Sequence, residues 1–169
     1  MEHGLRNAPM KDDTLIEIVY LSEREDTQTD RDVVEILRSS NDHNRQAGIT
    51  GLLVYDGECF LQVLEGPRAE VSSLYADILG DDRHHNIITI HEGPIVRRVY
   101  KGWGMAYKRI DPASDIIRLA RRQLAEGRAT EPSILHVGAY IKESLGVDNV
   151  FTWSAKARDG DTRPRLGYG

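Results

Sequence analysis

Cys59-Phe60-Leu61-Gln62-Val63-Leu64-Glu65 reads as a strongly hydrophobic strand with one residue out of keeping. Alternation at period two puts Phe60, Gln62 and Leu64 on one face. The Gln62 amide brings two donors and two acceptor lone pairs to that face, and leaving them unmet costs roughly a few kcal/mol. A polar partner must therefore lie against it. Loop backbone in a purely structural role would serve, and so would another functional side chain.

The neighbouring segments organise around this run. Ile49 to Tyr55 reads as a preceding strand, and Asp56-Gly57 between the two is a hairpin signal, because glycine accepts the positive φ of a tight turn. Gly66-Pro67 opens a helix whose inner face is Val71, Leu74, Tyr75 and Ile78, since proline's missing N–H costs nothing in a first turn. Upstream, Leu15 to Leu21 forms a first strand with Ile16, Ile18 and Tyr20 on one side. Its other side is also largely apolar, which predicts a central position. Thr27 followed by Asp30 marks a helix start, with Val33, Val34, Ile36 and Leu37 as the buried stripe and an end near Asn44. Asn86 to Ile90 and Arg98 to Tyr107 read as two more strands, separated by the turn-rich His91-Glu92-Gly93-Pro94.

Strand, helix, hairpin, helix, strand, plus one further strand, predicts an α/β ferredoxin-like sandwich. Five strands form a mixed sheet with two helices on one face. Residues 1–13 are polar and read as a flexible leader, and 14–110 hold the sandwich. Within 111–150, Ile116, Ile117, Leu119, Ala120 and Leu124 recur at helical spacing. Pro132 opens another helix with Ile134, Val137, Ile141 and Leu145 on its apolar side, although Gly138 interrupts it. These two helices are expected to cover the opposite sheet face. Residues 151–169 read as a polar tail.

Composition narrows the function classes. A chain of 169 residues with a formal charge of -5 does not suit a dedicated nucleic-acid binder. Its one cysteine, Cys59, excludes an intrachain disulfide framework or a cysteine-rich zinc site and fits a cytoplasmic protein. The chain contains neither an 18-residue apolar run nor a secretory hydrophobic region near residue 1, so no membrane role is expected. The adjacent His84 and His85 lack the spacing of a zinc site, and no metal is expected. A Walker loop, a dinucleotide-binding glycine fingerprint, a nucleophile elbow and a zincin pattern are all missing.

Several polar residues can converge. Tyr20 meets Gln62 across the sheet if their strands are neighbours with matching faces. Trp103 and Met105, two apart in the last strand, would share a face near that pair. Asn44 closes the first helix beside the same cleft. Each has a structural alternative: an edge tyrosine, core packing for Trp103 and Met105, and a helix-terminal asparagine. His43 has the alternative of a surface helix residue.

The same residues carry a family likeness. His43-Asn44, Ile49-Thr50-Gly51-Leu52-Leu53, Tyr55, Phe60-Leu61-Gln62-Val63-Leu64-Glu65-Gly66, Arg83-His84 and Gly102-Trp103 through Met105 closely resemble the BLUF family of blue-light sensors that use FAD. The likeness runs from about residue 15 to 107. It implies a flavin ring between the two helices, as FAD or with FMN or riboflavin in its place. It implies Tyr20 as photochemical electron donor and Gln62 as the link between tyrosine and flavin. Asn44 and His43 would contact the ring, and Arg31, Ser40, Arg83 and His84 would lie around the cofactor or its tail. Trp103 and Met105 would transmit the signal, with Gly104 giving local freedom between them. A photoreceptor rather than an enzyme is expected, acting on an unidentified downstream protein as a homodimer or higher homo-oligomer. A light-insensitive interaction module on this scaffold and a small flavoenzyme are the alternatives.

Overall fold

The computed structural model describes residues 14–26, 29–111, 118, 141 and 151–152. Its elements are β1 (Leu15–Arg24), α1 (Asp30–Gln46), β2 (Thr50–Tyr55), β3 (Cys59–Pro67), α2 (Arg68–Leu79), β4 (His84–Pro94), β5 (Ala106–Arg109) and β6 (Phe151–Thr152). The sheet order is β4-β1-β3-β2-β5-β6. The first four strands give the antiparallel ferredoxin-like core, β5 adds parallel to β2, and the two-residue β6 pairs antiparallel with β5. The five-stranded mixed sheet with two helices on one face is thus present, and the short β6 lies in the segment read as a polar tail.

Alternation divides the sheet into two apolar compartments. On the helix side, Ile16, Ile18, Tyr20, Phe60 and Leu64 pack with Val33 and Leu37 of α1 and with Val71 and Tyr75 of α2. On the other side, Val19, Leu21, Leu52, Val54, Leu61 and Val63 pack with Tyr100 and Ile141. Ile141 is helical and buried there. The other apolar positions named in the two C-terminal helices lie outside the described residues.

Local chemistry explains where elements begin and turn. The Thr29 side chain accepts from the Asp32 N–H at 3.4 Å, while the Thr29 N–H donates to Asp32 Oδ2 at 2.7 Å. This reciprocal box starts α1 two residues later than the expected Thr27. The helix runs on to Gln46, so Asn44 sits inside its last turn. Val34 is exposed rather than part of the buried stripe, being a helical step of about 100° away from Val33. In the hairpin, Asp56 Oδ1 accepts the N–H groups of Glu58 and Cys59 at 2.9 and 2.7 Å, and Gly57 has a φ of 108°.

Two strand expectations are corrected. β4 extends through His91–Pro94, where a turn was expected, because β1 pairs with it as far as Ile16↔Pro94. Register shifts at Val19/Tyr20 and Leu21/Glu23 break the alternation that would have revealed its length. The last long strand is reduced to Ala106–Arg109, and 98–105 is irregular. The cause is the buried Glu65 carboxylate. It accepts the Val99 N–H at 2.8 Å, the Tyr100 N–H at 2.6 Å and the Thr50 hydroxyl at 3.0 Å. Those two backbone donors are therefore engaged by a side chain instead of a ladder.

Gly51 marks the tightest backbone approach, since a Cβ there would lie 2.0 Å from the Val63 carbonyl oxygen. Gly51→Ala should therefore destabilise the protein by about 3 kcal/mol in urea unfolding, the cost of overpacking a site whose obstacle is backbone.

Candidate functional site

Strand register builds the floor of the site. Tyr20 and Gln62 are direct partners across β1 and β3, on the face turned to the helices. The Tyr20 hydroxyl donates a very short hydrogen bond to Gln62 Oε1. Gln62 Nε2 lies 3.5 Å from Met105 Sδ, at the entry to β5. The amide that looked anomalous in the sequence thus has a phenol on one side and a thioether on the other. Because β1 continues to Arg24, Tyr20 lies within the strand and not at its end.

The phenol is held in its protonated form. Burial pushes its pKa far above the ordinary 10.0, and the neighbouring Tyr75 and Asp81 reinforce the shift. Tyr75 packs 5.3 Å from the Tyr20 ring, and its hydroxyl pairs with Thr89 Oγ1 at 2.8 Å. The register shift beside Tyr20 brings Thr89 opposite it.

Above this floor lies a cleft between α1 and α2, with about 840 Å³ of empty space including its open mouth. Its apolar walls include Val33, Leu37, Leu53, Phe60 and Ile78. Ser40 and Asn44 come from α1, Arg83 from the turn before β4, His84 from the first residue of β4, and Met105 from the residue before β5.

Asn44 is the informative wall residue. It is buried, and its Nδ2 donates to the Gly104 carbonyl at 3.3 Å. Its Oδ1 is buried with no hydrogen-bond partner. An acceptor left unmet in a buried position is costly, and one that lines a cleft calls for a ligand N–H. A flat ring with an N–H on its edge and apolar faces fits these walls. The residues present therefore suit a flavin.

Not every expected residue comes to the cleft. Arg31 is exposed on the first turn of α1 and pairs with Glu35 at 3.6 Å. His43 is on the exposed side of α1, one residue from Asn44 and so a helical step of about 100° around the axis. Trp103 and Met105 do not share a face, because 103–105 is not a strand. Met105 packs in the helix-side compartment, and Trp103 packs against the opposite one, 5.8 Å from the Tyr100 ring. Gly104 gives no freedom between them. A Cβ there would come 2.5 Å from Arg45 Cγ and from Asn41 Oδ1, so glycine allows the chain to press against α1.

Some site residues escaped the sequence reading. Ser22 shares the Tyr20 face and bonds His84 Nδ1 at 2.9 Å, while the Ile78 carbonyl lies 3.2 Å from His84 Nε2. Burial holds the His84 pKa below its ordinary 6.5 against the pull of Asp81. Period-two spacing from Tyr20 could have found Ser22. Asp77 and Asp81 also line the cleft.

Among the described residues, no helix is long and apolar enough to cross a membrane, and no group of His, Cys, Asp and Glu side chains could hold a metal ion.

Comparison with known proteins agrees with this geometry. The chain is 37% identical over 89 residues to the photoactivated adenylate cyclase subunit beta of Euglena longa, which is 53% of this chain and 10% of that protein. Thus it spans about a tenth of that relative's length. Among solved structures, the dark state of BlrB, a BLUF protein, superposes with a TM-score of 0.62 at 29% identity, covering 79% of this chain and 99% of that one. The BlsA ground state gives a TM-score of 0.58 at 28% identity, covering 78% and 87%. The family model for sensors of blue light using FAD matches residues 15–106, more than half of the sequence. With its Tyr20–Gln62 pair beneath a helix-walled cleft, the chain belongs to the BLUF family of blue-light sensors.

Proposed function

We propose that this protein is a blue-light photoreceptor in which Tyr20 and Gln62 form the switch. One observation carries the reading: the buried Tyr20 hydroxyl donates to Gln62 Oε1 at the floor of the cleft. A flavin bound there supplies the visible absorption and, once excited, the oxidant that takes an electron from the phenol.

The residues then act in sequence. Tyr20 holds its proton on a hydrogen bond already aimed at the amide oxygen, so loss of an electron sends that proton to Gln62. When the electron returns, a proton returns to the Tyr20 oxygen through the amide, which is left rotated, tautomerised or both. In the starting arrangement Oε1 accepts from Tyr20 and Nε2 faces Met105 Sδ. Reversing the amide would put a donor against Tyr20 and an acceptor against Met105. Asn44 orients the ring through its unmet Oδ1, and Ser40, Arg83 and His84 surround the remainder of the ligand. FAD is the proposed flavin.

Met105 is the proposed first recipient of the change, with Trp103 acting from the other compartment. The signal leaves through protein–protein contacts of a cytoplasmic homo-oligomer with a downstream protein. The apolar sheet face that receives Ile141 supports that route.

Removing the phenolic proton tests the switch. Tyr20→Phe should still bind flavin yet lose the reversible red-shift of the visible spectrum under blue light, and Gln62→Leu should lose it too. A full red-shift in Tyr20→Phe would overturn the assignment. The protonated state of Tyr20 is checked separately. Below pH 10 the phenol is neutral in folded and unfolded chains alike; above it, only the unfolded chain ionises readily. Stability should thus fall as pH rises, by up to about 1.4 kcal/mol per pH unit for this group. Tyr20→Phe should show a correspondingly shallower decline in urea unfolding between about pH 9.5 and 11.

A further inference from the structure

Two side-chain amides of α1 face the segment that delivers Met105, and only one of them is bonded to it. Asn44 Nδ2 donates to the Gly104 carbonyl at 3.3 Å. Asn41, three residues earlier, is 1% exposed, and its Nδ2 has no hydrogen-bond partner among the described residues. A buried donor left unmet is costly, and one kept against a functional segment calls for a second arrangement that fills it. The Asn41 amide already lies against Gly104: a Cβ on that glycine would come 2.5 Å from Asn41 Oδ1 and 3.1 Å from the Asn41 carbonyl oxygen. Residues three apart are neighbours on one helix face, about 4.5 Å apart along the axis. One carbonyl therefore stands beside two chemically equivalent amides and is bonded to one. Both ends of its segment are fixed. The Trp103 carbonyl accepts from the Gly51 N–H at 3.2 Å, and Ala106 enters the ladder opposite Leu52. Between these anchors lies the peptide that joins Gly104 to Met105.

We propose that Asn41 is a positioning residue for the switch, the second station to which the Gly104 carbonyl passes when Met105 yields to the altered Gln62. The inference rests on the photoreceptor reading and deepens it. The Gly104 Cα stays seated against α1 while the peptide plane after it turns. That turn carries the carbonyl from Asn44 to Asn41 and re-aims the Met105 side chain. Half a turn of the Asn41 amide brings Nδ2 to the edge now held by Oδ1. Each arrangement satisfies the carbonyl and leaves one amide donor unmet. The two therefore lie close in energy, and a small push from Gln62 decides between them.

The test follows the flavin-loaded full chain after a pulse of blue light. Asn41→Leu keeps the side-chain volume and removes the donor, and Asn41→Ala serves as a second substitution should Asn41→Leu fold poorly. The dark spectrum and the size of the red-shift should match the wild type. The red-shifted state should decay about tenfold faster, the effect of taking a hydrogen bond of about 1.4 kcal/mol from the lit arrangement. Light-minus-dark infrared spectra of protein carrying carbon-13 at its glycine carbonyls should show an isotope-sensitive band in the wild type, and Asn41→Leu should lose it. An asparagine with a structural role alone would alter unfolding and move neither readout. A decay within about twofold of the wild type, or a glycine band that persists in the variant, would overturn the proposal. A flavin-loaded wild type that shows no red-shift would overturn the photoreceptor reading itself.

Discussion

The direct pairing of Tyr20 with Gln62 across two antiparallel strands is the constraint on which the site depends. In such a pair the register is discrete, and a slip of one residue sends a side chain to the other face. Here the register is set by burial on both sides of the sheet: Ile18↔Leu64 below the helices and Val19↔Val63 on the reverse. The cost of exposing either row holds the phenol and the amide opposite each other. A polar contact that would be weak at the surface thus becomes fixed, and burial of the phenol keeps the proton on Tyr20.

The cleft's second constraint comes from the chain after β4. Met105 reaches Gln62 only because the irregular 98–105 segment is fastened at several points. Glu65 takes two of its backbone donors, the Trp103 carbonyl accepts from the Gly51 N–H at 3.2 Å, and Asn44 holds the Gly104 carbonyl. Glu65 belongs to the same strand as Gln62, three residues on and on the opposite face. β3 therefore supplies both the switching amide and the clamp for the segment that meets it.

The core strands, both helices and the Tyr20–Gln62 pair were legible because each rests on periodicity, and periodicity survives in a single sequence. What was not legible rests on exceptions to it. Register shifts in β4 hid the continuation through His91–Pro94, and Asn86, with a φ of 50°, lies where the strand is irregular. The two-residue spacing of Trp103 and Met105 implied one shared face only if 98–107 was a strand. A buried carboxylate 34 residues earlier in the chain, Glu65 accepting from the Val99 N–H, removed that condition. Gly104 looked permissive because glycine is flexible in general, whereas here its missing Cβ is filled by Asn41 and Arg45. Long-range contacts of this kind leave no local pattern to read.

β3 is a single thickness of backbone between two rooms. Gln62 faces one, while Leu61 and Val63, its immediate neighbours, face the other beside Tyr100 and Ile141. Side chains on alternating positions share the same peptide planes, so a twist that repositions the amide tips its flanking residues in the opposite sense. The strand is in that respect a seesaw: news from the side with the chromophore needs no tunnel through the sheet, since the sheet itself is the wall that both rooms touch.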